Sequence, residues 1–492
     1  MTVEATAPVP AAGAARRSRQ RADVTWVAVA VCLAIAALSL LLPSVPTQDS
    51  WAWIIWGRQT LHLALDTMGG SSWKPLPVLF TTPFAIFGGA APALWLLVAR
   101  AGGLLAVFFA YRVAARLAGP IAGLVAAGGV AALDWLRYLG HGNIEPLSTA
   151  LALAAIDRHL AGRRAQALVL VFLAALGRPE MAPFFALYAL LVWLTKPERR
   201  VLVVALVVAV PVLWLGGDWW GSGDPFHGSG KASGFAARAK YRAKIAHQGK
   251  LKRKPAVQPG VGTTLHSGAN LLLLPVGVAA LAGVALAARR RRRDVLALAA
   301  GAAALTAIVA GMVAFGYGGS PRFLFPAAAV TCVLAGIAVG WALSWAGGGW
   351  RWLAVAALLA AVTLPFAVDR ARLFRSRAHE ISLRAKLQNH LNQAVDRAGG
   401  RKRILALGHP KVNGTMGHAL AWKLDVKMEA VGVDKLPWVI FHGPQNTVAP
   451  GRPPTVRSRW HPKLLAKVAD WRVYYVARIP RGDRGRPRPR RR

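Results

Sequence analysis

The sequence predicts an all-α polytopic membrane protein of about eleven transmembrane helices, followed by a small α/β domain outside the cytoplasm. Three observations predict it. Of 492 residues, 55% are hydrophobic and only 16% charged, against roughly 25% charged in soluble domains. The 61 Lys and Arg face only 20 Asp and Glu, and they interrupt apolar runs instead of forming one stripe. That is how Lys and Arg mark cytoplasmic loops. Beyond residue 369 the long apolar runs give way to short periodic segments. A simple nucleic-acid-binding domain is excluded; the expected partners are membrane lipids. Only 2 cysteines in such a length exclude a disulfide scaffold or Cys-rich metal site, and both, Cys32 and Cys332, lie in apolar runs. They read as small core residues.

Residues 1–23 form a basic amino-terminal segment ending in Arg16, Arg17, Arg19 and Arg21, expected in the cytoplasm. Residues 24–42 are long enough to span, and longer than the roughly 7–15-residue core of a signal peptide. They are read as an uncleaved first span. The outer loop 44–91 carries Trp51, Trp53 and Trp56, then Leu61, Leu63 and Leu65, an interfacial helix with its Trp residues at headgroup level. Residues 75–90 are apolar but broken by Pro75, Pro77 and Pro83. Lipid cannot satisfy a broken backbone, so they are placed at the outer interface.

Further spans are expected at 92–111, 120–138, 145–157, 165–177, 181–195, 201–216, 269–288, 294–315, 323–346 and 350–367. Arg112, Arg116, Arg158, Arg163, Arg164, Lys196, Arg199, Arg200 and the run 289–293 fall in loops assigned inside. The spans in 165–195 are short for a roughly 30 Å core, a trait of helices around a cavity. A long outer loop covers 217–268. The transmembrane domain is thus 24–368 and the extracytoplasmic domain 369–480. The Arg/Pro-rich tail 481–492 is expected to be disordered, its Arg481-Gly482-Asp483 a chance triplet. In the last domain, 379–398 reads as an amphipathic helix, 404–407, 438–441 and 473–476 as strands, and 416–424 and 462–468 as helical.

The informative polar groups sit at outer ends of spans, where charge is costly. They are Asp49; Lys74 in Trp73-Lys74-Pro75-Leu76-Pro77; the turn His141-Gly142-Asn143-Ile144-Glu145-Pro146; Arg178 and Glu180; and Arg322 in Ser320-Pro321-Arg322-Phe323-Leu324-Phe325-Pro326. Two acids and several cations on one membrane face suit chemistry at an anionic lipid head, with a nucleophile to deprotonate. Arg58, His141, Asn143 and Glu180 are supporting candidates. Asp66, Asp134 and Asp157 read as loop or helix-end charges. Charges cluster at span ends rather than midpoints, which argues against a transporter or lipid flippase, the alternative reading. A non-catalytic envelope protein whose basic carboxyl-terminal half binds anionic polymer is a third.

The order of these segments resembles the GT-C membrane glycosyltransferases, in particular the protein O-mannosyltransferase and aminoarabinose-transferase relatives. Lys74-Pro75-Leu76-Pro77 is similar to their Lys-Pro-Pro-Leu element, and Arg322-Phe323-Leu324-Phe325-Pro326 to their late Arg-aromatic-Leu-x-Pro element. The first outer loop carries Asp49-Ser50 where many relatives have two adjacent acids. The resemblance covers roughly residues 20–370. It implies a hexosyl- or pentosyltransferase that takes its sugar from a polyprenyl phosphate, with a glycan, lipid or protein acceptor. Asp49 would be the general base and Glu145 would orient the acceptor or help hold a divalent metal. Lys74, Arg178 and Arg322 would neutralise the donor phosphate. The Ala/Arg/Gly-rich composition points to a high-GC bacterium and to cell-envelope work at the plasma membrane.

Overall fold

The computed structural model describes residues 12–231, 234, 260–347, 349–413, 415–444, 454–457 and 462–477, with the side chains of 12–23 excepted. The tail 481–492 and most of the loop 217–268 lie outside the described residues. The chain begins with α1 (Ala12–Ser39), the Trp-rich α2 (Gln48–Leu61) and α3 (Pro75–Phe84). The bundle continues through α4 (Ala91–Ala118), α5 (Pro120–Ala131), the short α6 (Leu136–Gly140), α7 (Glu145–Leu160), α8 (Arg164–Gly177), α9 (Ala182–Thr195) and α10 (Arg200–Ser222). It closes with α11 (Val261–Ala269), α12 (Leu274–Arg289), α13 (Arg293–Ala314) and α14 (Phe325–Trp345). Among the described residues five helices are long and apolar enough to cross a bilayer, or six if α11 and α12, bent by 95°, count as one. The apolar stretch of α1 from Val24, and α5, α8 and α9, are shorter.

Small residues let the central helices meet backbone to backbone, the usual basis of helix association in lipid. A Cβ on Gly336 of α14 would lie 2.3 Å from the carbonyl oxygen of Ala122 in α5. One on Gly102 of α4 would lie 2.6 Å from the Cα of Leu147. That second contact sets the amino end of α7, and with it Glu145, against α4. Arg100 departs from the expected absence of charge at span midpoints. It is buried within α4 and gives Nη1 to the carbonyl of Ser39 and, at 2.9 Å, to its Oγ. It adds a side-chain donor at the last turn of α1, where Leu42 N–H also reaches the Ser39 carbonyl at 3.0 Å.

Asp157 is a helix-end charge, in the last turn of α7, but not a solvated one. It is fully buried in α7, where its carboxylate accepts from Arg112 Nε at 3.2 Å, Arg116 Nε at 2.7 Å and Arg158 Nε at 2.9 Å. In lipid a lone buried acid is costly, so the arginines expected only to mark the inner loop are drawn in around it.

The expected last span and the amphipathic segment 379–398 are one helix, α15 (Trp350–Arg397, 48 residues). No glycine interrupts it, and at ~1.5 Å per residue it reaches about 70 Å, carrying the chain from bundle to terminal domain. There Leu387, Leu391, Ala394 and Val395 pack on a four-stranded sheet. The strands are β1 (His409–Lys411), β2 (Trp438–His442), β3 (Lys463–Val468) and β4 (Trp471–Val476), in the order β1-β2-β4-β3. β1 runs parallel to β2, while β4 is antiparallel to both β2 and β3, with Val439 opposite Tyr475 and Val468 opposite Trp471.

Two expected elements exchange type. Residues 404–407 close a helix, α16 (Gly400–Leu407), of which only Ile404 is buried; so short an apolar run fits either period. Segment 462–468 is strand β3, because a two-residue turn at Ala469 and Asp470 folds it onto β4. α17 (Gly417–Leu424) matches its expected helix.

Candidate active site

The site begins with two loops that hold each other. Leading into α2, Val45 N–H donates to the carbonyl of Gly140 at 3.2 Å and Thr47 N–H to that of His141 at 3.1 Å. Ser50 Oγ lies 2.9 and 2.8 Å from the carbonyls of His141 and Gly142, to which it donates. His141 returns an Nδ1–H to Val45 O at 2.9 Å. Burial pushes its ring down to about 4, so it stays neutral and keeps that donor. Gly142 has φ of 66°, and its carbonyl accepts Trp95 Nε1–H at 2.8 Å. This turn places Asp49, in the first turn of α2, beside Glu145, the first residue of α7.

Charges then alternate. Arg322 donates Nη2–H to Asp49 Oδ2 at 3.0 Å and holds Nε 3.3 Å from Glu145 Oε1. Arg178 donates to that same Glu145 oxygen at 2.9 Å and, through Nε, to Glu180 Oε1 at 2.6 Å. Its guanidinium lies 4.0 Å over the ring of Phe323. Five groups from four separate segments thus form one chain, Asp49–Arg322–Glu145–Arg178–Glu180. Lys74, just before α3, joins from beneath with Nζ 5.5 Å from the Trp53 ring. Among the described residues Lys74 has no hydrogen bond or ion pair, although it is buried. Two buried carboxylate oxygens in the cluster also lack a hydrogen bond, Glu145 Oε2 and Glu180 Oε2. Folded proteins rarely leave such atoms unsatisfied.

Electrostatics separates Lys74 from Asp49. Burial, reinforced by Arg178 and Arg322, pushes the Lys74 ammonium down to about 8, with Glu145 and Asp49 offsetting part of this. Burial pushes the Asp49 carboxyl up, but Arg322 and Lys74 outweigh it and hold the group below its ordinary value.

Lys74→Met is therefore expected to make the protein more stable and less active. A lysine whose folded pKa lies below its ordinary 10.5 costs stability in full below about pH 8. The cost fades as pH rises toward the unfolded value. At pH 7 it amounts to at most about 3 kcal/mol. Thermal unfolding in detergent should show a higher midpoint for the variant at pH 7 and a smaller gain at pH 9.5; a lower midpoint at pH 7 would contradict the reading.

The structure gathers Asp49, Lys74, Glu145, Arg178, Glu180 and Arg322, while His141 and buried Asn143 form the turn behind them. Arg58 stands apart. It pairs with Asp425 at 2.7 Å and lies 4.7 Å over Trp422, seating the terminal domain on α2. Next to this contact, His418 of α17 donates Nδ1–H to Gln48 O at 2.8 Å, one residue from Asp49. Burial holds that imidazole below its ordinary value and so neutral. No local sequence signal marks His418, which joins α2 from 370 residues away. Phe323, under both arginines, was legible inside the quoted Arg322 motif.

The residues present do not suit a divalent ion. No three of His, Cys, Asp and Glu come together among the described residues, and Asp49, Glu145 and Glu180 each already accept from a guanidinium.

An apolar cavity of about 410 Å³ adjoins the cluster. It starts at Met181 and Pro326, next to the Glu180 and Arg322 turns. It runs past Phe184 and Tyr188 to His159 and Asp294 at the other end of the bundle.

Among solved structures the chain is similar to ArnT from Cupriavidus metallidurans bound to undecaprenyl phosphate. The TM-score is 0.55 at 15% identity, over 92% of this chain and 98% of that one. Apo ArnT gives 0.54 at 14% over the same shares. The fold is that of ArnT. The polytopic GT-C-like architecture expected from the sequence is the one found. An oligosaccharyltransferase from Archaeoglobus fulgidus is more distant, with a TM-score of 0.48 at 15% identity over 81% of this chain and 61% of that one. No protein-family model and no curated protein matches the sequence. Its spanning-length apolar helices, arranged in this fold, make this a multi-pass membrane protein, with the charged cluster where the loops of α2, α3, α7, α8 and α14 meet.

Proposed function

We propose that this protein is a membrane glycosyltransferase that moves a sugar from a polyprenyl-phosphate donor to an acceptor on the extracytoplasmic face. The observation that carries the reading is the joining of Asp49 and Glu145 through Arg322, with the unpartnered Lys74 beside them. Supporting it are the apolar cavity that leads away from the cluster, dimensioned for a ligand tail, and the fold shared with a protein crystallised with undecaprenyl phosphate. The amino terminus lies in the cytoplasm and the terminal domain beyond the plasma membrane, in the division 24–368 and 369–480. Contacts of α17 with α2 set that domain over the site, where it bounds the acceptor's approach.

Lys74 and Arg322 receive the donor phosphate. Arg178, held by two carboxylates and a ring face, supports them by fixing Glu145. As phosphate draws Arg322 away, Asp49 is freed to take the proton of the acceptor hydroxyl. The acceptor oxygen bonds to the anomeric carbon while the bond from that carbon to the phosphate oxygen breaks. The electron pair leaves with polyprenyl phosphate, stabilised by the two cations. Glu145 orients the reacting groups. No step runs through a metal.

The purified protein is expected to transfer sugar from a polyprenyl-phosphate donor and not from the same sugar on a nucleotide. Transfer from the nucleotide sugar alone would overturn the proposal.

A further inference from the structure

A second groove flanks α7 on the side away from the donor cavity. Its α7 wall is Leu147, Ala150, Leu151, Ala154 and Arg158, one helical stripe. α1, α4, α8 and α10 supply the rest, and the cavity volume is about 540 Å³. Nearly all of the lining is apolar. The charged lining residues, Arg158 and Arg163, both lie at one end. That end is opposite the candidate site, since Arg158 stands 13 residues along α7 from Glu145, about 20 Å.

The positive charge there is in excess. Arg112, Arg116 and Arg158 share the single carboxylate of Asp157. Arg112 also reaches Thr25 Oγ1, at the groove wall, at 2.9 Å. Arg163 and Arg164 follow in sequence. A bundle folded only to bury its apolar faces needs no open apolar slot, and this one ends at arginines.

We propose that this groove is a binding site for one anionic phospholipid, its acyl chain along α7 and its phosphate at Arg158 and Arg163. The site is distinct from the donor cavity, because its cationic end lies at the other face of the bundle. A polyprenyl phosphate whose head met Glu145 would hold its phosphate about 20 Å from Arg158. Basic pockets between membrane helices on the cytoplasmic side recognise lipid headgroups in this way, and α1 and α10, the outer walls, are the helices such a lipid would fasten to the core.

The test is native mass spectrometry of the full-length protein titrated with phosphatidylglycerol or phosphatidylcholine of the same chains. The wild type is expected to bind phosphatidylglycerol about tenfold more tightly. Arg163→Gln should remove that preference, and Val169→Trp, on the exposed groove wall, should weaken binding of both lipids without disturbing the core. Equal affinity for the two lipids, a preference intact in Arg163→Gln, or full displacement by millimolar inorganic phosphate would overturn the proposal. Sugar transfer by Asp49 variants bears on the proposed activity alone, so the two readings fail separately.

Discussion

Asp49→Asn is expected to lower the turnover of sugar transfer by about 10²–10⁴-fold, the usual range for loss of a general base, while donor affinity holds or rises. Asparagine has the same shape, and its carbonyl oxygen can still accept from Arg322. It cannot take a proton. Without the negative charge of Asp49, Arg322 is held less firmly and passes more readily to an incoming phosphate. The effect should therefore fall on kcat, with KM for the donor unchanged or lower. Steady-state kinetics with a short-chain polyprenyl-phosphate sugar separate the two constants. A variant with normal kcat, or one whose whole defect lies in KM, would show that Asp49 serves only to position Arg322.

Arg178→Ala should be the most destabilising single change in the cluster, costing about 3–5 kcal/mol. Arg178 is 2% exposed and Glu145 and Glu180 are 2% and 3% exposed, so removing the guanidinium leaves Glu180 buried without a counter-charge and Glu145 with Arg322 alone. Folded proteins hold only about 5–15 kcal/mol in reserve, and a sharp fall in melting midpoint or yield is expected. Neutralising the acids as well, in Arg178→Met with Glu145→Gln and Glu180→Gln, should restore much of the midpoint while leaving the protein inactive. Arg322→Gln provides the contrast: its side chain is 23% exposed, so the loss should be mostly of activity and little of stability. If Arg178→Ala melts like the wild type, the buried network is not the framework described above.

The parts of this architecture that the sequence revealed are those where local chemistry is its own signal. Charge at the end of an apolar run has few uses in lipid, so Asp49, Lys74, Glu145, Arg178 and Arg322 stood out before their contacts were known. Pro146 marked the start of α7 at Glu145, since proline suits the first helical turn. Three features were hidden for physical reasons. His418 reaches Gln48 across two domains, and no residue near either one announces the pairing. Asp157 is at the helix end where it was expected, but its burial was hidden because the three arginines around it come partly from α4, more than 40 residues earlier in the chain. β3 looked helical because Leu464 and Val468 stand at i, i+4 spacing, which alternation also allows; only the strand beside it decides. Arg58, read as a supporting site residue, serves instead the docking of the terminal domain, which gives α2 a second face to rest on.

The central claim is that Lys74 and Arg322 form a receptor for the phosphate of a lipid. It is tested most directly by comparing the binding of a polyprenyl phosphate with that of the polyprenol of equal length to the purified protein. Tight binding of the phosphate, weak binding of the alcohol, and loss of the difference in Arg322→Gln are the expected results. Equal affinity for phosphate and alcohol, or a preference for phosphate that survives both Arg322→Gln and Lys74→Met, would contradict it.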